Sequence, residues 1–274
     1  MKRHLPKPPK AYKDMDFLNS PDARVVRMIS EFLEPQRRFR QAQIKDTIVM
    51  FGSARIRPRR ETLRALRMVE ASIRRSARPT KQVEMSRYYE DAVELARLLT
   101  AWTKKYSSPR RFVICSGGGP GIMEAANKGA SLAKGASIGL NISLPFEQFA
   151  NDFVTEGLNF EFHYFFMRKL WFVYLAKALV IFPGGFGTMD ELMEVLTLLQ
   201  TNKVKKQVAV VMYGEEYWKK VINFDELVTH GMITRDDLRL FRFMESPEEA
   251  FKYLRDFLTE TYLKENGNGQ TTVG

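Results

Sequence analysis

Short apolar runs alternate with amphipathic stretches along most of this chain, and the alternation predicts strands and helices by turns. Val25, Val26, Ile29, Phe32 and Leu33 form one apolar stripe, predicting a helix capped by Ser20 with Pro21 in its first turn. The run Thr47-Ile48-Val49-Met50-Phe51, ended by Gly52-Ser53, reads as a buried strand. Two amphipathic helices follow, one through Leu63, Leu66, Val69 and Ile73 and one over about 84–105. A strand, a glycine loop and a helix are expected within 111–134, a strand over 136–144 and a helix over 162–177. A strand over 178–182, a helix over 188–201 and a strand over 207–213 come next, and the remainder reads as largely helical.

Strands alternating with helices imply right-handed crossovers and a parallel sheet, hence a doubly wound α/β fold. Ligands of such sheets sit at the carboxyl ends of the strands. Three apolar strands here run into glycine turns: Gly52-Ser53, Gly117-Gly118-Gly119-Pro120-Gly121, and Gly184 to Thr188. The topology predicts all three on one rim. The expected organisation is a basic arm and helix over 1–45, a nucleotide-binding domain over 46–263 and a flexible tail over 264–274.

Composition narrows the class. Of 274 residues, 45% are hydrophobic and 27% charged, as in globular proteins. A single cysteine excludes an internal disulfide, and His4, His163 and His230 are scattered, so no metal site is expected. The start, MKRHLPKPPK, is basic and proline-rich with no apolar stretch behind it, so a secretory signal is not expected. Charged residues interrupt the longest apolar region, so neither a membrane span nor a membrane partner is expected, and the cytoplasm is the default location. The net charge is +11, and residues 55–87 hold eleven Lys and Arg against three Glu. That segment reads as a solvated face that attracts anions, through Arg74, Arg75 and Arg78 among others, rather than as an RNA-binding domain.

A glycine turn entering a helix lets backbone N–H groups approach a phosphate. Neither long loop has the dinucleotide spacing, since Ile122 stands where a third glycine would fall, and no Lys-Ser/Thr pair follows either loop. NAD and ATP are therefore disfavoured. Thr188 adds a hydroxyl to the second loop, and Asp190 and Glu191 are expected in the first helical turn, where the helix dipole favours their charge. Arg168 lies in a segment that is apolar nearly all round, so the helix is expected to be buried and the charge to reach a cleft or a partner such as Glu191. Cys115 reads as a small core residue.

With Pro183-Gly184-Gly185-Phe186-Gly187-Thr188-Met189-Asp190-Glu191, Met167-Arg168-Lys169 and the loop 117–124, the sequence resembles the LOG (Lonely Guy) family over about 46–263. These are cytokinin riboside 5′-monophosphate phosphoribohydrolases, often mislabelled possible lysine decarboxylases. It looks most like the larger bacterial branch, which Phe51 to Arg55 and Gly139-Leu140-Asn141 also match. The resemblance implies a Rossmann-like domain, a homodimer or higher oligomer, hydrolysis of a nucleoside 5′-monophosphate to base and ribose 5-phosphate, and no cofactor. It implies that Gly184, Gly185, Gly187 and Thr188 hold the phosphate and that Arg168 and Glu191 are catalytic. Gly52, Ser53, Gly118, Gly119, Glu147, Lys169, Asp190 and Thr197 are the further ligand-binding candidates. Asp190 stands where the plant enzymes usually have glutamate, and Glu124 where the short forms have glycine. A non-catalytic nucleotide sensor or carrier, using the same loop, is the alternative. The dimer is expected through the helices over 162–177 and 188–201.

Overall fold

The computed structural model describes residues 7–70, 78–145 and 149–264. Its centre is a seven-stranded sheet: β1 (Thr47–Phe51), β2 (Val113–Ser116), β3 (Ser137–Ile142), β4 (Asn159–Phe162), β5 (Ala176–Ile181), β6 (Ala209–Tyr213) and β7 (Arg242–Met244). Every pairing is parallel and the spatial order is β4-β3-β2-β1-β5-β6-β7. The chain builds outward from β1 to β4, returns to the other side of β1, and builds outward again. The fold is therefore a doubly wound, Rossmann-like α/β sheet whose winding reverses between β1 and β5.

Eleven α-helices lie among the described residues. They are α1 (Met15–Asn19), α2 (Arg24–Gln41), α3 (Arg59–Glu70), α4 (Arg78–Met85), α5 (Arg87–Thr103), α6 (Ile122–Leu132), α7 (Phe165–Tyr174), α8 (Phe186–Gln200), α9 (Glu215–Val221), α10 (Phe224–Thr229) and α11 (Pro247–Leu258). Alternate strand residues feed two cores, as the two-residue period requires. Ile48, Met50, Ile114, Val180 and Val211 meet α5, α6 and α11 on one face. Val49, Phe51, Cys115, Leu179 and Val210 meet α2, α7 and α8 on the other. Burial on both faces explains why the central strands read as continuous apolar runs.

Several expectations are corrected. Phe162 belongs to β4 and Ala176 and Lys177 to β5, so the aromatic helix is shorter at both ends than 162–177. Asn159-Phe160-Glu161-Phe162 alternates exposed and buried positions, a half-covered edge strand hidden beside a longer aromatic run. β7 is three residues long and lies within the remainder that reads as largely helical. Ser20 donates its hydroxyl to Phe17 O instead of capping, and a 3₁₀ turn over Pro21–Ala23 precedes α2. Asp14 caps α1, in a segment whose composition suggested a draped arm. The stripe on α2 is not buried: Val25, Val26, Ile29 and Leu33 are exposed, while Phe32 stacks on Trp171 at 5.5 Å. Nor is α7 buried all round, since Phe165, Phe166, Leu170 and Tyr174 face outward. The tail 265–274, Arg74 and Arg75 fall outside the described residues, as does the side chain of Arg78.

Candidate functional site

The loops after β1, β2 and β5 meet above the reversal point, on one rim. Ser53 N donates to Pro183 O at 3.0 Å, tying the first loop to the third. Ile122 N donates to Ser53 O at 3.2 Å, tying in the second. Gly121 makes that contact possible: its φ is +71°, and a Cβ there would collide with Ser53 O.

A cleft of about 670 Å³ opens over these loops. Gly184, Gly185, Gly187 and Thr188 form one wall, Gly52 and Ser53 another, and Arg168, Asp190 and Glu191 also face it. The helix α8 begins at Phe186, two residues before Thr188; Thr188 N donates to Gly185 O at 3.0 Å, which leaves the N–H groups of Phe186 and Gly187 without an intrahelical acceptor on the cleft wall. Thr188 is buried and folded over Gly184, whose Cβ would strike its hydroxyl. Tyr217 O–H donates to Gly184 O at 2.8 Å and holds the loop from the α9 side. An anion seated here would meet free amides at the positive end of a helix.

The early start of α8 changes the account of Glu191. Asp190 and Glu191 fall in the second turn, beyond most of the dipole's reach. Glu191 is 6% exposed. Burial pushes its carboxyl up to about 7, against the pull of Lys169 and Arg168. The carboxyl is thus poised between acid and base near neutrality, where a fully ionised carboxylate was expected.

Arg168 comes from α7. Its Nε donates to Leu140 O at 2.9 Å, and its guanidinium lies 5.1 Å from the centre of the Phe172 ring. Burial lowers its pKa, Glu191 raises it, and no carboxylate among the described residues lies within 4 Å. Its charge therefore faces the cleft instead of closing a salt bridge with Glu191.

Other candidates lie elsewhere. Lys169 is clamped by Asp190 (2.7 Å) and Glu194 (2.9 Å) and does not line the cleft. Asp190 therefore has a partner of its own at the cleft edge. Thr197 is exposed farther along α8 and donates to Met193 O. Gly118 and Gly119 also fall outside the lining, where Asn151 Nδ2 donates to both carbonyls. Glu147 is outside the described residues. Glu124 turns away, accepting from Tyr89 O–H at 2.6 Å. Met123, Phe165 and Tyr217 join the lining unforeseen, since each sits on a different element and no spacing links them. Arg55, at the end of the first loop's motif, lines it too.

The insertion packs its helices α3 and α4 against α5. A neighbouring cavity of about 630 Å³ is lined by Arg59, Lys81, Arg87 and Lys220, with Glu84 and Glu216 beside them. Tyr217 lines both spaces. Among the described residues no group of His, Cys, Asp and Glu could hold a metal ion, and no helix is long and apolar enough to cross a membrane.

Comparison with known proteins finds relatives over the segment that carries the site. A family model described as "Possible lysine decarboxylase" matches residues 123–254, which carry Arg168, the α8 loop and Glu191. The cytokinin riboside 5′-monophosphate phosphoribohydrolase LOG of Oryza sativa subsp. japonica is 30% identical over 93 residues, 34% of this chain and 38% of that protein. The pyrimidine/purine nucleotide 5′-monophosphate nucleosidase of Escherichia coli (strain K12) is 32% identical over 139 residues, 45% of this chain and 29% of that one. The chain thus spans less than two-fifths of the length of either relative. A molybdenum cofactor binding protein from Rippkaea orientalis is similar in structure with a TM-score of 0.47 and 16% identity, covering 79% of this chain and 99% of that one. A likeness at that level says nothing of ligand. The family match covers just under half of the chain, and with these relatives and the loop residues on the cleft it makes the chain similar to the LOG family.

Proposed function

We propose that the protein is a nucleoside 5′-monophosphate phosphoribohydrolase of the cytokinin-activating type. One observation carries the reading: Glu191, buried and tuned to about 7, and Arg168 share a cleft with the open N-terminus of α8. The α8 amides and Thr188 take the 5′-phosphate, which fixes the nucleotide and lends binding energy to positioning. The C1′–N bond then breaks toward an oxocarbenium-like sugar, water adds at C1′, and the proton lost by the water passes through Glu191 to the departing base. Glu191 as carboxylate stabilises the sugar's positive charge and accepts the water's proton. Arg168 stays charged and donates hydrogen bonds to the departing base.

The two named relatives support the reaction class, through nucleotide monophosphates in both names. A decarboxylase is not favoured, because that reaction needs a lysine to hold pyridoxal phosphate, and among the described residues no lysine lines the cleft. Since nucleotide monophosphates are internal metabolites, the activity belongs in the cytoplasm.

The assembly we propose is a homodimer. Phe166, Leu170 and Tyr174 on α7, Phe186 and Met193 on α8, and Val25, Ile29 and Leu33 on α2 leave apolar surface exposed, Phe186 at 94%. A second copy would cover it. Light scattering should report a dimer at micromolar concentration. The basic insertion draws anions toward the adjoining cleft, so nucleotide capture should weaken as salt rises.

Chromatographic measurement of free base from a panel of purine and pyrimidine monophosphates tests the function. Release should rise with pH through about 7, as Glu191 ionises. Tight binding without release from any nucleotide would leave the sensor or carrier.

A further inference from the structure

At the opposite end of the sheet, a cavity of about 260 Å³ opens below the first residues of β2 and β3. The last turn of α5, residues 104–113 and the turn between α6 and β3 enclose it. Its lining carries four cations, Lys104, Arg110, Arg111 and Lys134, and no acidic side chain. Arg111 is matched, its Nε lying 2.6 Å from Asp46 Oδ2. For the other three, no carboxylate among the described residues lies within 4 Å.

A second observation is independent of charge. Thr100 lines the cavity and is 4% exposed, and its Oγ1 is buried with no hydrogen-bond partner among the described residues. Helical Ser and Thr hydroxyls commonly donate to the carbonyl three or four residues back. Thr103 does so to Thr100 O, but Thr100 does not. A hydroxyl left in that state is destabilising until an acceptor arrives.

Lys104 and Lys134 follow the C-terminal turns of α5 and α6, where a cation is favourable by itself. Arg110 follows no helix end, and that argument does not reach Thr100. What the cavity lacks is an anion with several acceptor oxygens. Its volume falls below the ~300–1,000 Å³ usual for larger ligands, so a whole nucleotide is too big.

We propose that this cavity is a second phosphate-binding site, for a small anion such as inorganic phosphate or a phosphorylated pentose. The phosphate oxygens accept charge-assisted bonds from the unmatched cations, and a bond from Thr100 Oγ1 once χ1 rotation turns that solvent-closed hydroxyl onto the cavity. The site is remote from the cleft and does not depend on the reaction there.

Isothermal titration of the full chain with inorganic phosphate, and separately with ribose 5-phosphate, tests this. Lys104→Gln/Arg110→Gln alters two exposed side chains and should take up one fewer anion per chain than the wild type. Thr100→Val keeps the shape and removes the donor, so affinity at this site should fall about tenfold. Tighter uptake of inorganic phosphate or of ribose 5-phosphate identifies which anion the site takes. Equal anion counts in the wild type and the double variant overturn the proposal. Loss of oligoribonucleotide binding in the double variant, with no phosphate uptake by the wild type, also overturns it, in favour of a nucleic-acid surface.

Discussion

Glu191→Gln should make the ligand-free protein more stable, and the gain should grow with pH. Among the described residues neither Glu191 oxygen has a hydrogen-bond or salt-bridge partner, so the substitution mainly removes a buried charge. The carboxyl rises from an ordinary 4.5 to about 7 on folding, chiefly by burial. Between those values the folded chain holds a proton that the unfolded chain has lost. Stability therefore falls as pH rises across that window and levels off above it. The distance between the two values corresponds to about 3 kcal/mol, of which about 2.5 kcal/mol accrues between pH 5 and 8.5. Urea unfolding of both proteins at those two pH values isolates this group, since every other titration is common to them. The stability difference between variant and wild type should widen by that amount toward pH 8.5. A difference that stays constant would refute the buried, proton-holding carboxyl. Turnover should meanwhile fall about 10²-fold or more with nucleotide binding retained, because Gln keeps the shape and cannot take the proton.

Arg168→Ala should also lose turnover, but with weaker nucleotide binding, so kcat and KM shift together in steady-state assays. Gly184→Ala drives a methyl into the Thr188 hydroxyl and should cost about 1–3 kcal/mol in urea unfolding while weakening nucleotide binding. Gly187→Ala is the contrast: nothing lies within 4 Å of its Cβ, so stability should hold or rise by up to about 1 kcal/mol, yet nucleotide affinity should still drop as the phosphate's approach is blocked. Asp46→Asn breaks a buried pair with Arg111 and weakens the 2.5 Å bond accepted from Phe112 N; a loss of about 3–5 kcal/mol is expected in the same unfolding assay.

Much of the fold was legible because its central strands are buried on both faces. Runs such as Ala209–Tyr213 leave no polar position to blur them, and each glycine turn marks where a strand meets the rim. The edges were less legible. In β4 half the residues meet solvent, and the adjoining aromatic stretch overwrote its two-residue period. The outward faces of α2 and α7 misled in the opposite direction, since an apolar residue in sequence does not say whether its own chain covers it.

The site shows the same division between what spacing encodes and what packing decides. The convergence of the turns at Gly52, Gly117 and Gly184 followed from topology, because the sheet reverses between β1 and β5 and places them around one crevice. The ionisation of Glu191 did not follow. A two-residue error in the start of α8 moves the carboxyl from the first turn to the second, and the sign of its pKa shift reverses with it. Near the helix end the dipole would hold it ionised; one turn deeper, desolvation wins. The partition of cations among carboxylates was equally hidden. Lys169 and Arg168 are neighbours in sequence, yet Lys169 turns to Asp190 and Glu194 and leaves Arg168 unpaired among the described residues. That partition keeps the guanidinium available to a ligand. It also keeps Lys169 from closing on Glu191, whose carboxyl would otherwise be drawn back toward the ordinary carboxylate range.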